Sequence, residues 1–113
     1  MQRITFVMQV KPGYEDEYVR RHQNVWPEVQ ADMRRAGIQS MSIYRFGQQL
    51  FLYMEVEDYA RASGLLAESP DSIRWEEHMA PIMADAAGAE YDPANAYPDG
   101  LPEVYHWDSG ETQ

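Results

Sequence analysis

One helical stripe in the first third of the chain carries side chains that can exchange protons and bind an uncharged ring. Tyr18, His22 and Trp26 follow one another at intervals of four residues, so a continuous helix would present them on one face. An imidazole titrates near neutral pH and therefore both gives and takes protons there. The phenol could orient the imidazole or bind a substrate hydroxyl, and the indole offers an apolar plate. By spacing alone, an ordinary amphipathic helix with aromatic residues lining the core is favoured, and catalysis by His22 is the alternative.

A second group of candidates lies in the segment RWEEHM. The indole of Trp75 could pack against the C–H face of a sugar, and neighbouring carboxylates could hydrogen-bond its hydroxyls. Glu76 and Glu77 are adjacent and point about 100° apart on a helix, which makes them a weak pair for two-carboxylate chemistry. On composition, a buried tryptophan with a solvated charged edge is favoured. If this segment and His22 line one cavity, we expect the carboxylates to raise the proton affinity of His22.

Several classes of site lack their sequence signals. The three histidines, His22, His78 and His106, show no metal-binding spacing, although they could still converge in space. The chain contains no cysteine, which excludes disulfides, thiolate metal sites and a cysteine nucleophile. No glycine-rich phosphate loop and no nucleophilic serine elbow is present. We therefore predict no metal and no cofactor, and either proton transfer by side chains or simple binding.

The charge pattern excludes polyanionic partners. Residues 1–57 hold seven basic and seven acidic residues, whereas residues 58–113 hold two and twelve, so the whole net charge of −10 arises in the second half. Such a surface repels nucleic-acid phosphates and anionic lipid. There is no apolar run near the ~18 residues that a membrane span needs, and the N-terminus predicts a strand, not a secretory signal. We expect a cytoplasmic protein that binds neither nucleic acid nor membrane.

The elements that would position these side chains follow the order β-α-β-β-α-β, with a second helix before the last strand. Alternating or helical periodicity and turn residues predict the boundaries. We predict a strand at 4–10, a helix from residue 14 that breaks at Pro27 and ends at Gly37, a hairpin of strands at 41–46 and 50–56, helices at 58–68 and 73–83, and a final strand at 101–107. Residues 84–100 are expected to be irregular, the tail 108–113 to be frayed, and residues 1–113 to form a single domain.

This order is the split βαβ arrangement of ferredoxin-like α+β folds, with an antiparallel sheet that helices cover on one face. Strand alternation puts Tyr44 and Phe46 on one side of the hairpin, and Phe51 and Tyr53 on one side of the partner strand. An open sheet face rich in aromatic residues predicts contact with a second copy of the chain or with a ligand.

The chain resembles the L-rhamnose mutarotase family over FVMQVKPGYEDEYVRRHQNVWPEV, GIQSMSIYRFGQQLFLYMEV, RWEEHM and LPEVYHW. The first block is the most specific, because Tyr18, His22, Trp26, Pro27 and Glu28 occur together at the family's spacing. The resemblance implies a homodimer of ferredoxin-like domains of the dimeric α+β barrel type, joined through their sheet faces with exchange of an edge strand. It also implies an isomerase that interconverts the α and β pyranose anomers of a 6-deoxy sugar, L-rhamnose first, without a cofactor.

The resemblance also implies roles for individual residues. His22 matches the family's proton-transfer histidine, and Trp75 matches the first of two adjacent tryptophans that contact the sugar, of which the second is Glu76 here. In the family members that have both tryptophans, a tyrosine that contacts the substrate corresponds to Met41 of this chain. Tyr44 lies close to Met41 in the sequence. These departures leave the identity of the sugar open, and a fucose-like or other 6-deoxy sugar is an alternative. The candidate substrate-binding residues are Tyr18, Trp26, Tyr44, Trp75 and Glu76.

Two functions of other kinds stay open. A cofactor-free monooxygenase of the same dimeric ferredoxin-like class would bind a flat aromatic substrate in a similar cavity. A non-catalytic sugar-binding domain would explain the departures at Met41 and Glu76.

Overall fold

The structure, a computed structural model, describes residues 1–110 and consists there of a four-stranded antiparallel sheet and four α-helices. The strands lie in the order β2-β3-β1-β4. In chain order the elements are β1 (Gln2–Val10), α1 (Glu15–His22), α2 (Pro27–Arg35), β2 (Ile38–Phe46), β3 (Gln49–Val56), α3 (Tyr59–Glu68), α4 (Pro70–Met79) and β4 (Met83–Ala84).

The core lies between the helices and one face of the sheet. Successive side chains of a strand point to opposite faces, and β3 shows this alternation clearly. Leu50, Leu52, Met54 and Val56 are at most 4 % exposed, whereas the residues between them are only partly buried. In β1, alternate residues from Phe6 onward are buried against the same helices. The helix-covered face predicted for the sheet is therefore present, and its register is set by apolar burial.

The break between α1 and α2 includes the position that the sequence predicts, Pro27, but begins earlier, because α1 already ends at His22. Pro27 is the first residue of α2, and Trp26 before it has extended geometry (φ −59°, ψ 137°). A proline at the first helical position has no N–H to leave unsatisfied, and its ring disfavours helical geometry in the residue before it. Trp26 therefore lies outside α1, the helix that carries Tyr18 and His22.

One buried polar contact joins α2 to α4. Asp32 is 2 % exposed, and its Oδ2 accepts a hydrogen bond of 2.7 Å from the buried hydroxyl of Ser72. Arg35 donates to its other oxygen. Burial disfavours the charged carboxylate, but these hydrogen bonds outweigh that effect and lower the pKa of Asp32. The contact fixes the two helices in register across the core.

One predicted strand is wrong, and one predicted helix is present with different bounds. The predicted strand 101–107 does not form, and the fourth strand is Met83–Ala84, which pairs with Gln9 and Val10. Leu101 donates one backbone hydrogen bond of 2.7 Å to Thr5, after which the chain runs exposed over the surface. The predicted helix 73–83 instead begins at Pro70 and ends at Met79. It gives way to a 3₁₀ turn, Ala80–Ile82, at Pro81, because proline disfavours continuation of an α-helix through the preceding residue.

The segment after β4 has little regular structure, as predicted for residues 84–100. It holds an isolated bridge between Ala84 and Glu90 and a 3₁₀ turn at Pro93–Asn95. The predicted frayed tail, 108–113, includes residues 111–113, which lie outside the described residues. None of the helices formed by residues 1–110 has the length and apolar character to span a bilayer, and the cytoplasmic location stays a prediction.

Candidate active site

A cavity of about 380 Å³ lies between the helix-covered face of the sheet and the helices α1 and α4, and residues 91–97 close one side. Its volume is near the lower end of the ~300–1,000 Å³ range of small-molecule sites, so it suits a compact ligand. Tyr18, His22, Trp75 and Glu76 all line it. The two sequence segments that carry candidate chemistry therefore meet at one cavity.

His22, at the end of α1, presents one ring nitrogen as a base. Its Nδ1 lies 3.1 Å from the backbone carbonyl oxygen of Tyr18. Because a carbonyl only accepts hydrogen bonds, this contact assigns the proton of the neutral ring to Nδ1 and leaves Nε2 with a free lone pair. The imidazole is thus oriented by its own helix.

The protonation of His22 departs from the sequence expectation. Burial lowers the pKa of His22, and the hydrogen bond to Tyr18 offsets this only in part. The expectation that carboxylates would raise its proton affinity is wrong, because the burial of the imidazolium is the main cause of the shift and no carboxylate is among its causes. At neutral pH the imidazole is therefore mainly uncharged, which is the form that accepts a proton.

Two aromatic side chains pack against the imidazole of His22, and a third supports one of them. Tyr18 stacks on His22 with ring centroids 4.2 Å apart and planes 28° apart. The edge of Trp75 meets the imidazole, with centroids 5.6 Å apart. Trp26 packs edge-on against Trp75 with centroids 5.2 Å apart, and does not itself line the cavity. Trp26, predicted to bind substrate, instead supports the indole that does face the cavity.

Glu76 follows Trp75 on α4 and is the acidic residue of the cavity. The hydroxyl of Tyr91 donates to its Oε1 at 2.6 Å. Burial raises the pKa of Glu76, and the hydrogen bond from Tyr91 partly opposes that shift. Glu77 is exposed and does not line this cavity, so only one of the two adjacent carboxylates belongs to the site.

Tyr44, a predicted substrate-binding residue, lies on the opposite face of the sheet. Its side chain is 66 % exposed, whereas Met41 and Ile43 point into the cavity from the same strand. Neighbouring residues of a strand face opposite sides, so proximity to Met41 along the chain does not bring Tyr44 to the cavity. Tyr44 is therefore not part of this site.

The sequence pattern missed an apolar wall of methionines. Five of the seven methionines in the chain line the cavity, and they come from β1, α2, β2, α4 and β4: Met8, Met33, Met41, Met79 and Met83. Unbranched thioether side chains fill irregular spaces and adapt to a ligand's shape. Strand alternation identifies Met8 as a core residue, but no local signal indicates that the five converge.

Arg21 connects the two helices that supply the site. Its Nε donates to Glu17 at 2.8 Å within α1, and its Nη1 donates to the backbone oxygen of His78 at 2.7 Å near the end of α4. The guanidinium therefore sets the position of the helix carrying His22 relative to the helix carrying Trp75.

A metal centre and a second cavity are the alternatives to this site. Within residues 1–110, no three histidine or carboxylate side chains are grouped as ligands of a metal ion would be. A second cavity, of about 450 Å³, lies between α3, α4 and residues 93–97 and is lined mostly by small residues. It contains neither His22 nor Trp75, so the first cavity is the candidate active site.

Comparison with known proteins identifies a family and several relatives. The family model described as L-rhamnose mutarotase matches residues 3–107. The chain belongs to the L-rhamnose mutarotase family. It is therefore an isomerase of the kind that acts at the anomeric centre, and the resemblance drawn from its residues is confirmed.

Individual relatives cover almost the whole chain. An L-rhamnose mutarotase of Opitutus terrae is 38 % identical over 110 residues, which are 96 % of this chain and 100 % of the relative. One of Bacteroides thetaiotaomicron is 35 % identical over 111 residues, with the same coverage. The crystal structure of an L-rhamnose mutarotase from Formosa agariphila superposes with a TM-score of 0.74 at 23 % identity, covering 96 % of this chain and 100 % of that one. The small α+β fold is thus shared.

Proposed function

We propose that this protein interconverts the α and β pyranose anomers of a 6-deoxy sugar, L-rhamnose first, with His22 as the general acid/base. The observation that carries the proposal is the free Nε2 of a neutral, oriented imidazole at the wall of a small cavity. Family membership supports the reaction type, and the cavity supports a substrate of monosaccharide size.

The reaction requires only proton transfers. Nε2 of His22 takes the proton of the anomeric hydroxyl, the bond between the anomeric carbon and the ring oxygen breaks, and the ring oxygen gains a proton. The resulting aldehyde rotates, and the reverse transfers close the ring on its other face. Positioned acid–base catalysis contributes about 10²–10⁴-fold.

The remaining walls fit a deoxy sugar. Trp75 offers a flat surface to the C–H face of the ring, and the hydroxyl of Tyr18 and the carboxyl of Glu76 are the polar groups for the sugar's hydroxyls. The methionine wall can bury the methyl group of a 6-deoxy sugar without leaving a hydrogen bond unsatisfied. A sugar with a primary alcohol at that position would find no hydrogen-bond partner of comparable strength in this wall.

Anomeric exchange measured by saturation-transfer NMR tests the proposal. The wild-type protein should accelerate exchange of L-rhamnose, and the same measurement with L-fucose and other 6-deoxy sugars would rank the substrates. His22→Gln should lower the rate about 100-fold or more. His106 is exposed and lies outside the cavity, so His106→Gln serves as the matched control.

The other outcomes are distinct. If His22→Gln exchanges anomers as fast as the parent, the assigned role is wrong. Sugar binding in calorimetry without any accelerated exchange would identify a non-catalytic sugar-binding domain. Oxygen consumption with a quinol would instead identify a cofactor-free monooxygenase.

The proposal includes a homodimer of ferredoxin-like domains joined through their sheet faces. The strand order β2-β3-β1-β4 supports the ferredoxin-like arrangement. The open face supports the dimer, because Tyr44 and Phe46 are 66 % and 77 % exposed and Val104 and Trp107 of the terminal segment are also exposed. Sedimentation should give twice the chain mass of 13.1 kDa at micromolar concentration, and a stable monomer would contradict the dimer.

A further inference from the structure

His22 has only one nitrogen available for the reaction. Its Nδ1 is engaged with the carbonyl of Tyr18, so only Nε2 is available to a substrate in the cavity that His22 lines. Ring opening requires a base at the anomeric hydroxyl and a proton donor at the ring oxygen, and these two oxygens are separate atoms of the sugar. A single nitrogen does not serve both at once, so a second group is needed for transfers that occur together.

Glu76 is the acidic side chain placed to be that group. It lines the same cavity as His22, from the opposite helix. Tyr91 bonds to its Oε1 at 2.6 Å, and within residues 1–110 no donor bonds to its Oε2. One carboxyl oxygen is therefore held in place, and the other is available to a ligand.

The surroundings of Glu76 favour its protonated form. The titratable groups that face it are the phenols of Tyr18, Tyr91 and Tyr97, besides the neutral His22 across the cavity, and the described residues that line the cavity include no lysine or arginine. Burial raises the pKa of Glu76, with only the bond from Tyr91 opposing it. A carboxyl group without a cationic partner keeps its proton to higher pH.

We infer that Glu76 is the second catalytic residue, the one that protonates and deprotonates the ring oxygen while His22 serves the anomeric hydroxyl. This inference rests on the proposed mutarotase function. On opening, Nε2 gains the hydroxyl proton, the carbon–oxygen bond breaks, and the ring oxygen takes the proton of Glu76. On closure, the Glu76 carboxylate recovers that proton as the ring oxygen attacks the aldehyde, and the imidazolium returns its proton to the anomeric oxygen. Both residues end as they began.

Glu76→Gln is the decisive variant. Glutamine keeps the size of the side chain and an oxygen that accepts from Tyr91, but it has no transferable proton. We expect the kcat for anomeric exchange to fall about 100-fold while KM changes little. Glu77→Gln removes the neighbouring exposed carboxylate and should retain the wild-type kcat.

The pH dependence separates catalysis from simple sugar binding. After subtraction of the uncatalysed rate, the wild-type profile should rise as His22 loses its proton and fall as Glu76 loses its proton. The falling limb should be absent in Glu76→Gln. In Tyr91→Phe it should move to higher pH, because the lost hydrogen bond had stabilised the carboxylate.

The possible results are distinguishable. An unchanged falling limb in Glu76→Gln, or a higher KM at an unchanged kcat, would overturn the inference while the mutarotase function stood. Absence of exchange in the wild-type protein with every sugar would refute the function and the inference together. The mutarotase function and the role of Glu76 are both supported if Glu76→Gln lowers kcat and abolishes the falling limb of the pH profile. The circular dichroism of that variant should match that of the parent.

Discussion

Replacing Asp32 with alanine should lower the free energy of unfolding by about 1–4 kcal/mol. The substitution leaves the hydroxyl of Ser72, only 5 % exposed, without the acceptor that it has at 2.7 Å. An unsatisfied buried group of this kind costs about 1–3 kcal/mol. The side chain of Arg35 is 58 % exposed, so loss of its ion pair adds only about 0–1 kcal/mol.

Urea unfolding at fixed protein concentration measures this change, because dimer formation would make stability depend on concentration. Ser72→Ala should also destabilise, since it removes a donor from a buried carboxylate. The double variant removes both partners and should lose less than the sum of the single variants, by about 0.5–3 kcal/mol. Asp71→Ala, which breaks a more exposed ion pair with Arg74, serves as the control and should cost about 1 kcal/mol or less.

The pH dependence gives a second check with a defined sign. The folded protein lowers the pKa of Asp32 below its ordinary value of 3.8, so the carboxylate contributes stability above that pH. The difference between the parent and Asp32→Ala should shrink as the pH falls through the lowered pKa. Additive single substitutions, or a difference that does not change at low pH, would refute the reasoning from the Asp32–Ser72 contact.

Three further outcomes concern the active site. The acid limb of wild-type kcat/KM should have its midpoint below 6.5, because burial lowers the pKa of His22, and a midpoint above 6.5 would contradict the neutral-imidazole mechanism. Trp75→Leu should raise KM about tenfold by loss of the stacking surface, measured by exchange NMR across sugar concentrations, with folding checked by circular dichroism. Arg21→Met should lower kcat/KM about tenfold by releasing α1 from α4, whereas Arg20→Met, at an exposed neighbour, should have little effect in the same assay.

The parts of the site that sequence predicts are those set by local geometry. Tyr18 and His22 stack because residues four apart share one face of α1, whatever lies around that helix. The shared face does not extend to Trp26, because α1 ends at His22 and Pro27 starts a new helix. The indole of Trp26 packs edge-on against Trp75 instead. Pro27 predicts from sequence alone that the helix is interrupted. The direction in which the chain continues after Pro27 depends on tertiary packing, which the sequence pattern does not give.

Long-range contacts account for the rest. Met83–Ala84 is a strand of two residues, too short for any periodicity, and it forms because Gln9 and Val10 offer an edge there. The segment 101–107 has strand-like composition but bonds to β1 at a single backbone position. Tyr91 reaches Glu76 from a segment without regular structure, so neither spacing nor periodicity could predict their contact.

The contact that orients His22 has a consequence for how the sequence can vary. Its acceptor is the main-chain oxygen at position 18, not the side chain. A change of side chain at that position alters stacking and substrate contact but leaves the acceptor in place, so the tautomer persists in any sequence that keeps this turn helical. The side chain at position 18 can therefore change without changing which nitrogen of His22 accepts a proton. A sequence could then accept a different sugar and still use Nε2 of His22 as its base.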